Sequence, residues 1–406
     1  MTKCPASRAL ALLLGVVAIL FQTVLPALAK PPTVEAAAAV LMDAETGTVL
    51  FGNQMHDSRP VASTTKIMTA LLVLENCDLD DDVIVGPAAL EVTGSALYLQ
   101  PGDVMQTDDL LTALLLKSAN DSAVVLAEHV SGSVSGFADR MNERAQELGA
   151  TDTHFVNPHG LHHPDHYSSA YDLALITREA LKHPRFRELV GTRNARILLP
   201  SDPAGERTLR NHNKLLQRAA FVDGVKTGYV KQSGQCLVAS ATEDDWQLIA
   251  VVLDSPDTYA ESLRILEYGF TNFRRQVFAQ SGDTLGRAPV RDGTKPTVPA
   301  ICQDALVAVT GADLPDEPKL EVTLLGPLLA PIAQGDTVGQ VRLVAGSSIL
   351  AEAPLLAGEA VPRAVLRIIA VWSLRGLVIL LLALLLVRHY AKAVKAHRSR
   401  GLRLPP

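Results

Sequence analysis

The chain has 406 residues, 20% of them charged, and a formal net charge of −6; that length holds two or three domains with at least one sizeable core. With both ends set aside, residues 30–387 carry 29 basic and 43 acidic side chains, an excess that argues against nucleic acid as a partner. Cys77, Cys236 and Cys302 lie far apart with no Cys-x-x-Cys pair, so neither a disulfide framework nor a zinc site follows, and buried free thiols are expected.

Residues 1–29 read as a secretory signal peptide. Lys3 and Arg8 supply the positive start, "ALALLLGVVAILF" the apolar middle, and Ala27-Leu28-Ala29 the small-residue exit. "AAAVLMDAETGTVLFG" (37–52) predicts two strands around a turn. A helix is predicted over 63–75, with Ile67, Ala70, Leu71 and Leu74 on one face. The polar "ENCDLDDD" and a Gly/Pro-rich loop lead to a long helix near 107–130, whose start Thr107-Asp108-Asp109 has capping residues and early acids. Further helices are predicted at 135–149, 169–182 and 257–268, and a hairpin from "GQCLVASAT" and "WQLIAVVLDS". Strands first and last with helices between them predict one mixed α/β domain over 35–272.

Composition then changes. Residues 274–360 hold short Val/Leu runs separated by Gly, Pro and Asp, predicting a small all-β domain. Residues 364–387 end in "IIAVWSLRGLVILLLALLLV", long enough to span a bilayer with Arg375 as the one charge in that stretch. The tail 388–406 has six Lys or Arg and no acid, so an exported N-terminal part and a cytoplasmic tail satisfy the positive-inside rule. A helix lying on the membrane surface is the alternative, with Arg363, Arg367 and Arg375 on its polar face.

Three short motifs carry chemistry. In "VASTTKIMTALLVLE", Lys66 follows Ser63 by one helical turn, at a helix start where the macrodipole disfavours a cation. A serine hydroxyl needs a base within hydrogen-bond reach, and Lys66 is one only when burial or nearby positive charge lowers its pKa. The same helix start offers free N–H groups to an oxyanion. Ser118-Ala119-Asn120 follows 55 residues after Ser63. Lys226-Thr227-Gly228 comes 108 residues later, at the start of a predicted strand. There a lysine beside a hydroxyl and a glycine suits a substrate carboxylate, and its charge would keep Lys66 deprotonated. The trio Ser-x-x-Lys, Ser-x-Asn and Lys-Thr-Gly occurs in class A β-lactamases and penicillin-binding proteins.

With "DLLTALLLKSANDSAVVLAE", "FADRMNERAQELGATDTHFVNPHGL", "VDGVKTGYV" and "APIAQGDTVGQVRL" in the same order, the chain resembles the serine-type D-alanyl-D-alanine carboxypeptidases, among the low-molecular-mass penicillin-binding proteins. The resemblance implies an α/β (α+β) β-lactamase/transpeptidase-like catalytic domain followed by a β domain. It makes Ser63 the acylated nucleophile, Lys66 its base, Ser118 a proton relay and Asn120 a holder of the substrate amide. Lys226 and Thr227, with Gly228, would bind the terminal carboxylate, and the N–H groups of Ser63 and Tyr229 would form the oxyanion hole. Peptidoglycan stem peptides would be substrates and β-lactams acylating inhibitors. No cofactor is implied, and the place of action is the outer face of a bacterial inner membrane.

A D,D-endopeptidase is the neighbouring alternative. A β-lactamase usually needs a deacylating glutamate before Lys-Thr-Gly, and "NPHGLHHPDHYSS" has none. A non-catalytic wall-binding factor would not need the whole trio. His159, His162, His163, His166 and Asp165 invite a metal reading, but Pro164 spoils regular spacing. Residues 78–82 lack the Gly and terminal Glu of a calcium loop, so no metal is expected at either place.

Overall fold

A computed structural model describes residues 30–311 and 317–400, the side chains of 396–400 apart; the expected signal peptide and the last six residues of the basic tail lie outside the described residues. Two compact units result. One runs up to Arg275 with a return at Val309, and the other is built from Gln276–Ala308 and the chain from Pro315 onward.

In the first unit, β1 (Ala38–Asp43) and β2 (Val49–Asn53) form the expected hairpin, and α1 (Lys66–Asn76) follows a 3-10 turn at Ala62–Thr65. The short strands β3 (Asp82–Ile84) and β4 (Val104–Gln106) precede α2 (Thr107–Thr112), α3 (Asn120–Ser131), α4 (Val134–Glu147), α5 (Ala170–Ala180) and α6 (Pro184–Gly191). A hairpin, β5 (Asn194–Leu198) with β6 (Glu206–Arg210), and the short α7 (Leu215–Arg218) lead to β7 (Val222–Val230), β8 (Gly234–Glu243), β9 (Trp246–Leu253) and α8 (Thr258–Asn272).

The central sheet is antiparallel in the order β2-β1-β9-β8-β7. Its inner strands are apolar on both faces because helices cover both. Val40, Met42, Val238, Ile249 and Val251 pack into the core that holds α1 to α6, while Leu41, Leu237, Ala239, Leu248 and Val252 pack against α8. On α1 the residues Ile67, Met68, Leu71 and Leu72 are buried, each contributing about 1.5–3 kcal/mol. That packing holds the start of α1, and hence Ser63 and Lys66, against the sheet.

The structure corrects two expectations. The helix over 107–130 is broken: α2 passes into a π turn at Ala113–Lys117, Ser118 takes a left-handed conformation (φ 61°, ψ 35°), and α3 begins at Asn120. Leu110, Leu111 and Leu114 to Leu116 are all buried, so the apolar pattern runs through the break and hides it. Lys226-Thr227-Gly228 lies in the middle of β7 and does not begin it. Asp223-Gly224 resembles a turn signal, yet the Asp223 carboxylate accepts from Ser240 Oγ, Thr242 Oγ1 and Gln247 Nε2 within the sheet.

The second unit contains most of β10 (Phe273–Ala279) and the first half of β13 (Leu306–Gly311), with β11 (Thr284–Arg291), β12 (Thr297–Cys302), β14 (Lys319–Leu324), β15 (Leu328–Leu329), β16 (Thr337–Ala345) and β17 (Ser348–Ala357). Six of these strands form one sheet in the order β14-β16-β17-β12-β11-β15, over a core that includes Val298, Val338, Val341 and Leu355. After β17 the chain stays attached. Val361 pairs with Ile332, Arg363 with Gly293, and Ala364 N donates to Asp292 O at 2.7 Å. The helix α9 (Val365–Arg400) begins at once. Within Val365–Lys395 an 18-residue window has a mean hydropathy of 2.5 and none of it is buried, so the helix is long and apolar enough to cross a membrane.

Candidate active site

Ser63 sits in the 3-10 turn that opens α1, and Lys66 is fully buried below it. Lys66 Nζ is 3.2 Å from Ser63 Oγ, 2.7 Å from Asn120 Oδ1 and 2.6 Å from His159 O. Asn120 Nδ2 donates to Thr93 O at 2.6 Å, which fixes the amide so that Oδ1 must be the acceptor. Two of the three Lys66 partners are therefore carbonyl oxygens that can only accept. A neutral amine satisfies both with its two N–H bonds and turns its lone pair toward the Ser63 hydroxyl.

Electrostatics favour that neutral form. Burial pushes the Lys66 pKa well below the usual lysine value, the charge of Lys226 lowers it further, and Asp121 opposes both. Lys226 is itself buried, and this lowers its pKa to about 7. Its Nζ donates to Thr227 O at 2.9 Å.

The turn is braced from the histidine-rich loop. His166 Nδ1 accepts from Val156 N at 3.0 Å, so its proton lies on Nε2, 2.8 Å from Thr65 Oγ1, which donates to Ala62 O at 2.8 Å. Burial holds His166 at a pKa of about 4 and His159 at about 3, and the charge of Lys66 adds to both shifts. These rings serve as neutral struts. Among the described residues no group of three or more His, Cys, Asp or Glu side chains is placed to hold a metal ion. Close packing depends on Gly160 (φ +83°), where a Cβ would lie 1.9 Å from Ala62 O. At Gly228 a Cβ would lie 3.1 Å from Ser63 N, so β7 passes directly beside the Ser63 backbone.

A cleft of about 330 Å³ brings Ser63, Ser118, Thr227, Gly228 and Tyr229 together with Ser95, His212 and Tyr259. Ser118 Oγ makes no hydrogen bond among the described residues. Asn120, Lys66 and Lys226 do not line this cleft; they are buried behind it. Motif reading missed His212, the His166–Thr65 brace and Asp121, none of which belongs to a short local pattern.

A two-faced antiparallel sheet, a serine and lysine one turn apart at a buried helix start, a second serine at a helix break and a Lys-Thr-Gly strand define a penicillin-binding-protein fold. Comparison with known proteins agrees. A family model described as D-alanyl-D-alanine carboxypeptidase matches residues 26–257, and one described as penicillin-binding protein 5, C-terminal domain, matches residues 273–363. The D-alanyl-D-alanine carboxypeptidase DacF of Bacillus subtilis is 33% identical over 340 residues, 81% of this chain and 87% of that protein. DacD of Escherichia coli is 32% identical over 350 residues, 82% of this chain and 88% of that protein. The crystal structure of penicillin binding protein 5 from Haemophilus influenzae superposes with a TM-score of 0.69 at 30% identity, covering 82% of this chain and 99% of that one. The chain belongs to the D-alanyl-D-alanine carboxypeptidase family of serine peptidases.

Proposed function

We propose that the protein removes the terminal D-alanine from peptidoglycan stem pentapeptides through an acyl-enzyme on Ser63, and that β-lactams acylate the same residue. The carrying observation is the Lys66 hydrogen-bond set, with two fixed acceptors and one hydroxyl at 3.2 Å. Ser63 Oγ attacks the carbonyl of the penultimate D-alanine while Lys66 takes its proton. The N–H groups of Ser63 and Tyr229 stabilise the oxyanion. As the C–N bond breaks, the proton passes to the departing amine by way of Ser118, and D-alanine leaves. Water then hydrolyses the ester and regenerates Ser63. Lys226 and Thr227, beside the close approach at Gly228, hold the terminal carboxylate, and Asn120 holds both Lys66 and the substrate amide.

The helix over 364–387 is read as spanning a bacterial inner membrane, with the catalytic domain outside and residues 388–406 in the cytoplasm. The test of function combines D-alanine release from a pentapeptide with mass spectrometry after penicillin. One penicillin mass is expected on the peptide containing Ser63, and Ser63→Ala should lose both signals. An adduct on another residue, or unchanged labelling in the variant, refutes the assignment.

A further inference from the structure

Beside the cleft lies a larger cavity of about 780 Å³, within the range that buries a drug-sized ligand and far more than one departing alanine needs. The two share a wall: His212 lines both, Ser118 borders one and Lys117 the other, and Ser95 faces the cleft while Tyr98 faces the cavity. Its lining is strongly cationic although the chain as a whole is acidic. Arg207 is paired with Asp202. Lys117, Arg210, Lys214 and Arg218, by contrast, have no carboxylate within ion-pair distance among the described residues. Arg210 reaches only Gln217, at 3.4 Å, and Arg218 lies over the Tyr259 ring at 4.7 Å. Four cations gathered without acids repel one another, and an anion there relieves that repulsion.

The wall facing these cations is held in a strained shape. Tyr98 has φ +64° and is 74% exposed, a conformation that is an outlier for a bulky residue. It persists because the buried Asp121 carboxylate accepts from the N–H groups on either side, Leu97 at 2.9 Å and Leu99 at 3.2 Å. Such over-determined strain clusters at ligand-binding places. The cavity also has a direction. His212, whose N–H donates to Leu116 O at 3.0 Å, lines both spaces, and the neighbours Lys117 and Ser118 line one each, so the cavity opens from the Ser118–His212 side of the cleft. On the proposed reading of function, Ser118 hands the proton to the departing amine, so the leaving residue stands on that side.

We propose that this cationic cavity receives the departing half of the substrate and selects leaving groups that carry a carboxylate beyond the terminal one, such as an acidic residue or a second acidic peptide stem. The inference rests on the carboxypeptidase reading and extends it toward cleavage of cross-links between stems.

The test uses the full-length protein in detergent and three peptides that share one uncharged acyl half ending in D-alanine. They differ in the leaving residue: D-alanine, D-glutamate or D-glutamine. At low salt kcat/KM should favour D-glutamate over its neutral isostere by about threefold to fivefold, and added salt should shrink the ratio. Lys214→Gln combined with Arg218→Gln should bring the ratio near one, and Lys214→Glu should push it toward D-glutamine. A melting curve for each variant separates a lost ratio from a lost fold. Equal efficiency for D-glutamate and D-glutamine in the wild type, or a ratio that survives the double substitution in folded protein, overturns the cavity assignment alone. Release from none of the three peptides overturns the carboxypeptidase reading and the cavity with it.

Discussion

At the residue scale, the two buried lysines divide one requirement between them. In the proposed mechanism Lys66 must be neutral to accept a proton, and Lys226 must be charged to hold a carboxylate. The Lys66 pKa lies well below its ordinary value and that of Lys226 falls to about 7. The proposed mechanism requires Lys66 to lose its proton before Lys226, so kcat/KM should show an acidic limb from Lys66 and an alkaline limb near pH 7 from loss of the Lys226 proton. A bound carboxylate raises the Lys226 pKa, so the alkaline limb of kcat should lie higher than that of kcat/KM. Lys66→Arg keeps the charge but offers no base at any accessible pH, and its acylation by penicillin should nearly stop while its melting curve stays cooperative. Near wild-type acylation of that variant would exclude Lys66 as the base. Ser63, Lys66, Ser118 and Lys226 were all legible in the chain because each sits in a three- or four-residue pattern. The His166–Thr65 bond, across 101 residues, was not. Nor was the Asp121 clamp, whose carboxylate looks like an ordinary early helix acid.

At the scale of elements, the hairpin over 37–52, the helices near 135–149 and 169–182 and the all-β character of 274–360 followed from periodicity and turn residues. The break between α2 and α3 did not, because a π turn adds a residue without interrupting the apolar run. The hairpin β5–β6 escaped too: its strands are exposed or half-buried apart from a single buried side chain each, Ile197 and Leu209. The break delivers Ser118 to the cleft and can be probed apart from its hydroxyl. Ser118→Ala and Ser118→Gly both remove Oγ, but glycine accepts the left-handed backbone and alanine does not, a difference of about 1 kcal/mol. Ser118→Gly should therefore melt above Ser118→Ala, while both lower kcat by about 10²–10⁴-fold. Recovery of activity in the glycine variant would mean that backbone strain, and not the hydroxyl, carries the effect of Ser118.

At the scale of the whole molecule, α9 has 36 residues, about 54 Å of helix against a hydrocarbon layer of about 30 Å. The full chain should stay with membranes through high salt and alkaline carbonate, and a chain ended at Pro362 should be soluble. Release of the full chain by carbonate would favour the surface-lying alternative. Between β17 and α9 only seven residues intervene, and Val361, Arg363 and Ala364 are already bonded to the second unit. With α9 in a bilayer, the second unit stands on its helix like a post with no slack in its footing. Its height above the lipid is then set by backbone geometry and not by the length of a floating linker. Encounters made by such a post are confined to a thin layer parallel to the membrane. The frequency of those encounters scales with membrane area in place of compartment volume.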